Sequence, residues 1–110
     1  MASDALGEFE QVILLAVVHL GAEAYGTTIR REIEERTGRD IAVGALYTAL
    51  ERLERKGFVT STMSDPLPQR GGRSRRQFQL QPEGAAALKR SRELLAKMWH
   101  GLSPLLRRTR

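Results

Sequence analysis

The spacing of apolar residues predicts two helices at the start of the chain. Residues 8–20 are apolar on nearly every side of their centre, which is typical of a helix buried by several neighbours, and Gly21 ends the pattern. In residues 25–37, Ile29 and Ile33 lie one turn apart between charged positions, and a glycine follows as the C-terminal stop. We therefore expect a central first helix and an amphipathic second one.

A short strand and a third helix are predicted next. Ile41 is expected in the strand, residues 43–56 repeat the amphipathic pattern, and Gly57 follows as the residue that ends the helix. The inward stripe of this helix is Leu46, Leu50 and Leu53. Its outer face carries small and polar residues, namely Gly44, Ala45, Tyr47, Thr48, Ala49, Glu51, Arg52 and Arg55. Such a face lets the major groove of DNA approach the first turns closely.

Two strands joined by an arginine-rich tip follow the third helix. Residues 58–63 are rich in aromatic and β-branched types, the prolines after Asp65 must break the strand, and Phe78 and Leu80 alternate with glutamines in a returning strand. The tip contains Arg70, Gly71, Gly72, Arg73, Arg75 and Arg76. It is suited to gripping phosphate, and the alternative is a solvated loop kept basic for solubility.

Charge is distributed unevenly along the 110 residues. Residues 1–69 carry a net charge of −4 and residues 70–110 a net charge of +9, which favours a polyanionic partner such as nucleic acid. The composition, 41% hydrophobic and 28% charged, is that of a soluble globular domain. The chain lacks cysteine and any apolar run long enough to span a bilayer, so we expect a cytoplasmic protein with no membrane partner.

A long helix is predicted over residues 83–101, with Pro82 suited to its first turn. Its apolar seam comprises Leu88, Leu95 and Leu102 at seven-residue spacing, with Ala85, Met98 and Trp99 beside them. Because the core is already supplied by three helices, docking against a second copy is favoured over packing within the monomer. Trp99 is expected either to anchor that dimer or to line a cavity for a small aromatic effector.

Three helices followed by a two-stranded wing define an α+β, mostly α, winged helix-turn-helix domain over residues 1–81. Residues 82–110 then form a C-terminal dimerisation helix and tail. No catalytic or nucleotide-binding motif occurs, and His19 and His100 lie in different helices, so we expect no enzyme activity, no cofactor and no metal site.

Several segments, in order over about the first 85 residues, resemble the PadR family of bacterial transcriptional regulators. They are Leu6-Gly7, Ala24-Tyr25-Gly26, the run from Gly44 to Val59, Arg70-Gly71-Gly72-Arg73, and Phe78-Gln79-Leu80 leading to Gly84. The resemblance implies a homodimeric winged-helix protein, usually a repressor, that binds an operator and often releases it when a small molecule binds. Gln81 stands where the family commonly has threonine, which weakens an N-cap, and Phe78 where it commonly has tyrosine.

Individual roles follow for the DNA-contacting candidates. We expect Thr48 and Gly44 to lie near base edges and the Tyr47 hydroxyl to reach phosphate; the alternatives are ordinary exposed positions and a packing role for Tyr47. Tyr25, Gly26, Thr27 and Thr28 open the second helix, whose amides either receive a phosphate or are capped by a hydroxyl. Arg52 and Arg55 either contact DNA or pair with the neighbouring Glu51 and Glu54.

These features are consistent with two functions. The first is a sequence-specific duplex-DNA-binding regulator, a repressor released by an effector, that binds an inverted-repeat operator as a homodimer. The alternative is a winged-helix protein-interaction module without specific DNA binding, whose basic wing meets an acidic partner. The combination of Tyr47, Thr48 and the arginine wing on one face favours DNA.

Overall fold

The computed structural model describes residues 5–63 and 75–102, which form four α-helices and a two-stranded sheet. In chain order the elements are α1 (Glu8–Leu20), a 3-10 turn (Gly21–Glu23), α2 (Gly26–Thr37), α3 (Val43–Arg55), β1 (Val59–Met63), β2 (Arg76–Leu80) and α4 (Pro82–Trp99). The predicted helices are confirmed, with ends that differ by at most two residues. Gly38 and Gly57 follow α2 and α3 with φ of 73° and 80°, a left-handed conformation that favours glycine.

The core lies where α1, α2, α3 and the sheet meet. Its largest fully buried side chains are Phe78, Ile13, Leu14, Ile29, Ile33, Leu46, Leu50, Leu53 and Val59. The predicted inward residues of α2 and α3 are all among them, and so is Phe78 of the returning strand. Apolar burial of this kind is the main driving force for folding, and it leaves the opposite face of α3 in solvent.

Three details of the prediction are wrong. α1 is not buried all round, because Leu15 and Val18 remain 48% and 52% exposed. Ala49 is buried against the core rather than on the outer face of α3. Ile41 is buried in an irregular segment and lies in no strand, because the free edge of β2 is met by Tyr25, which forms an isolated bridge with the second residue of that strand.

The wing is attached to the helices at its base. β1 and β2 are antiparallel, with Val59 opposite Leu80 and Met63 opposite Arg76. The backbone N–H of Phe78 donates to the carbonyl of Ala24 at 2.8 Å, which adds the α1–α2 connection to the sheet edge. The predicted tip residues Arg70, Gly71, Gly72 and Arg73, like the C-terminal tail, lie outside the described residues.

α4 is docked at its beginning and exposed at its end. Pro82 is the first helical residue, and Gln81 occupies the N-cap without a side-chain cap, instead donating to the Thr60 hydroxyl at 3.1 Å. A Cβ at Gly84 would lie 2.4 Å from the carbonyl oxygen of Phe58, so only glycine permits this close contact. None of the helices formed by residues 5–63 and 75–102 is both long and apolar enough to cross a membrane.

Candidate nucleic-acid interface

The outward face of α3 is open along its first two turns. Gly44 and Thr48 are exposed, and a Cβ built at Gly44 would meet no heavy atom of residues 5–63 and 75–102 within 4 Å, apart from its chain neighbours and its own helix backbone. The glycine is therefore not required for packing within this part of the chain. Leu46 and Leu50 on the opposite side fix the helix to the core, so this open face is held outward.

Tyr47 joins α3 to the start of α2. A Cβ at Gly26 would lie 1.8 Å from the Tyr47 hydroxyl oxygen, so the tyrosine tip occupies the space that the glycine leaves. Tyr47 nevertheless remains 37% exposed, so it packs against the start of α2 and still has surface in solvent, and its phosphate contact stays a prediction. A cleft of about 320 Å³ beside it is lined by Gly26, Thr27, Arg30, Arg31, Glu34, Val43, Leu46 and Tyr47.

The start of α2 is capped from within the helix. Tyr25 is the N-cap residue, and its backbone N–H donates to the hydroxyl of Thr28 at 2.9 Å. The Thr28 hydroxyl in turn donates to the carbonyl of Glu23. Thr28 therefore supplies the hydroxyl cap, while Thr27 lies exposed beside the cleft. Phosphate binding by the amides of this turn stays a prediction.

The two described wing arginines point to different partners. The Arg75 guanidinium lies over the Tyr25 ring, 3.9 Å from its centroid, in a cation–π contact beside the start of α2. Arg76 donates to Glu54 at 3.3 Å and to the Ser61 hydroxyl at 3.2 Å. Arg75 thus stands near the proposed DNA face, whereas Arg76 is partly neutralised at the far end of α3.

Arg52 is held by a carboxylate that the sequence analysis did not consider. Its Nε donates to Glu10 Oε2 at 3.0 Å, and Lys56 Nζ reaches the same oxygen at 3.2 Å. The neighbours Glu51 and Glu54 do not pair with it in the part of the chain that the structure describes. Because Arg52 is paired with Glu10, we do not propose it as a DNA contact.

The environment of Glu10 keeps it ionised. Burial by itself would raise the pKa of its carboxyl, but hydrogen bonds from the Gly7 amide, Arg52 and Lys56, with the positive charge of Lys56, hold that pKa below its usual range. One signal in the sequence could have identified Glu10. Glu10 lies at the head of the buried stripe that continues through Ile13, Leu14 and Val17, where a lone carboxylate requires partners.

The predicted seam of α4 is divided by the fold. Leu88 packs against the core, whereas Leu95, Met98, Trp99 and Leu102 are between 42% and 71% exposed. Of these, Leu95 and Trp99 border a groove of about 540 Å³ together with the exposed Leu15 of α1. The lining residues are Gln11, Leu15, Leu88, Lys89, Arg92, Leu95, Ala96 and Trp99.

Known proteins share this architecture. The model of the transcriptional regulator PadR-like family matches residues 14–90. A structure described as the complex of hsRosR-S4 is 30% identical, with a TM-score of 0.65, and covers 90% of this chain and 78% of that chain. A PadR family transcription regulator from Clostridium difficile is 23% identical, with a TM-score of 0.69, over 89% of this chain and 98% of that one.

A winged-helix DNA-binding protein from STIV is 22% identical, with a TM-score of 0.64, over 83% of this chain and 90% of that chain. No match was found among curated proteins. The likenesses show a winged-helix fold, and the family model defines a regulator of transcription. The chain belongs to the PadR-like family of transcriptional regulators, and it is accordingly not an enzyme.

Proposed function

We propose that this regulator is a repressor that binds an inverted-repeat operator as a homodimer and releases it when a small molecule binds. The observation that supports operator reading most directly is the open face of α3 at Gly44 and Thr48, where a Cβ on the glycine would meet no described residue beyond its own helix and chain neighbours. In the proposed complex Thr48 contacts a base edge or thymine methyl. The Tyr47 hydroxyl, Thr27, the amides that follow Tyr25 and the wing arginines contact phosphates.

Dimer formation is supported by the second half of α4. Leu95 and Trp99 line one apolar groove with Leu15 of α1, and Met98 is exposed on the same half of α4, so an isolated copy would leave these side chains in water. A two-fold pairing through this surface would place two α3 helices symmetrically. The operator half-sites are then expected roughly one helical turn, about 10 bp, or a multiple of that apart.

Release by an effector is supported by the groove between α1 and α4. Leu15, Leu95 and Trp99 offer it apolar and aromatic walls, and Lys89 and Arg92 line it with positive charge. A small aromatic molecule, more so one that carries a carboxylate, fits these walls. Because the groove lies on the proposed dimer surface, its occupation would change the relation between the two α3 helices.

The dimer is tested with Leu95→Asp, which would bury a carboxylate against its symmetry mate. The matched control is Ala86→Asp, which places the same charge on an exposed position of α4, nine residues and so about two and a half turns away. Light scattering should give a dimer for the control and a monomer for Leu95→Asp. Operator affinity should fall by about 100-fold or more only in the latter. A surviving dimer with intact affinity would refute this interface.

Effector binding is tested by fluorescence of Trp99, the single tryptophan of the chain. Titration with a panel of neutral and carboxylate-bearing aromatic compounds should change its emission, and the same compounds should release labelled operator DNA. Compounds that release DNA without changing the Trp99 signal would place the effector elsewhere. A panel that does neither would remove the support for aromatic effectors.

A further inference from the structure

The buried carboxylate of Glu10 connects the first helix to the helix that presents the DNA-reading face. Glu10 is the third residue of α1, and only 8% of its side chain is exposed. It is the one buried charged side chain among residues 5–63 and 75–102. Each of its oxygens has two donors: Oε1 accepts from the Gly7 amide at 3.0 Å and from Lys56 at 3.3 Å, and Oε2 accepts from Arg52 and Lys56.

The two cationic partners of Glu10 lie one turn apart at the end of α3. Arg52 also lies one turn after Thr48 in α3. The ion pairs with Glu10 therefore hold α3 one turn beyond its predicted base-reading residue. The other end of α3 is located by Tyr47 against Gly26. The open face of α3 therefore has a fixed contact on each side: the ion pair at Arg52 on one side and the packing of Tyr47 against Gly26 on the other.

The apolar core alone does not provide this precision. Burial of Leu46, Leu50 and Leu53 contributes a non-directional driving force, whereas hydrogen bonds to a carboxylate also depend on direction. Hydrogen bonds are directional, so a carboxylate that accepts four of them from three donor groups, the Gly7 amide, Arg52 and Lys56, favours one arrangement of α1 and α3. Buried ionic groups contribute more to structural specificity than to stability in several proteins.

We propose that Glu10 is a positioning residue for operator recognition: through Arg52 and Lys56 it sets the orientation of α3, and neither Glu10 nor Arg52 contacts DNA. The proposal rests on the sequence-specific DNA binding proposed above. It changes the role expected for Arg52, because the positive charge alone would predict that this arginine contacts a DNA phosphate. Loss of the cluster should reduce discrimination between operator and random DNA more than it reduces binding to DNA in general.

The test compares Glu10→Gln with Glu8→Gln. Both changes remove one negative charge from the first turn of α1, but Glu8 pairs with Arg39 at 3.0 Å in the segment after α2 and not with α3. Affinities for operator and random duplexes are measured by fluorescence anisotropy at a temperature where circular dichroism shows both variants folded. We expect the operator-to-random ratio to fall about tenfold in Glu10→Gln, the equivalent of one base contact. It should stay at the wild-type value in Glu8→Gln.

Arg52→Gln and the double variant separate positioning from direct contact. Arg52→Gln leaves Glu10 paired with Lys56 and the Gly7 amide, which also keeps a folded variant available if Glu10→Gln is too unstable. If Arg52 acts through Glu10, the two single losses do not add in the double variant, and the salt dependence of random-DNA binding is unchanged. If Arg52 contacts phosphate, Arg52→Gln flattens that log–log slope by about 0.9, in the presence or absence of Glu10.

Three results would overturn the proposal. Equal operator-to-random affinity ratios for Glu10→Gln and Glu8→Gln would show that the cluster does not position α3. A flattened salt slope of random-DNA binding in Arg52→Gln would show that this arginine contacts phosphate. In both cases wild-type protein still prefers the operator, so the proposed function stands. A wild-type protein that shows no preference between operator and random DNA would overturn both.

Discussion

Replacement of Gly44 by alanine adds one methyl group, which should increase the stability of the fold and weaken the binding of operator DNA. Gly44 is the second residue of α3, and the added Cβ would lie more than 4 Å from every heavy atom outside its own helix backbone and its chain neighbours. Since glycine is among the poorest helix formers, the change should stabilise the fold by up to about 1 kcal/mol. For a domain of this size, that raises the melting temperature by roughly 2–6 °C.

The same methyl group should weaken operator binding if α3 approaches the major groove through its first turn. Insertion of a methyl into a closely packed contact costs about 1–3 kcal/mol, a loss of affinity of about 5-fold to 150-fold. Thermal unfolding by circular dichroism and anisotropy with labelled operator measure the two effects on one preparation. Ser91→Ala on α4 is the control, because it also improves a helical position but should leave affinity unchanged. A Gly44→Ala protein that is more stable and binds operator as tightly as wild type would refute the proposed docking of α3.

Four further predictions concern base reading by Thr48, phosphate contacts of the wing arginines, packing at Gly84 and the ionisation of Glu10. Thr48→Ala should reduce the operator-to-random ratio by about 1–3 kcal/mol with an unchanged salt slope, and equal losses on both DNAs would make Thr48 a general contact. Replacement of both Arg73 and Arg75 by alanine should flatten the log–log salt slope by up to about 1.8, whereas an unaltered slope in filter binding would exclude a phosphate clamp. Gly84→Ala should lower the unfolding free energy in urea by about 1–3 kcal/mol, because its Cβ meets a backbone carbonyl at 2.4 Å; unchanged stability would contradict that contact. The pKa of Glu10 is lowered in the folded state, so its contribution is present above about pH 4.3 and is lost as pH falls through the folded pKa. The stability difference between wild type and Glu10→Gln should therefore shrink below about pH 4, and a constant difference would contradict an ionised role.

Local sequence pattern was sufficient for most of the fold. The spacing of Leu46, Leu50 and Leu53 predicted both the extent of α3 and its buried face, since helical period and burial reinforce each other there. Gly38 and Gly57 marked helix ends because both adopt the left-handed conformation that follows a helix. The open face of α3 followed from the same periodicity, and its contacts with DNA remain predictions.

Long-range contacts were not predictable in this way. Arg52 was assigned to DNA or to its helical neighbours, but its partner, Glu10, lies 42 residues away in sequence. Periodicity carries no information about such a pairing. The strand expected at Ile41 failed for a related reason, because the edge of β2 is occupied by Tyr25 instead. The apolar run predicts Leu15 in the core, whereas the structure leaves it exposed, because such a run does not distinguish a core from an exposed apolar surface.

We propose that the chain reads a two-fold symmetric operator through α3. Selection of bound fragments from the source genome with purified protein, followed by sequencing, tests it most directly. We expect one enriched motif, an inverted repeat whose half-sites lie about 10 bp or a multiple of that apart, and Thr48→Ala should relax base preference within each half-site. Recovery of fragments with no shared motif, or of a single asymmetric half-site, would contradict it.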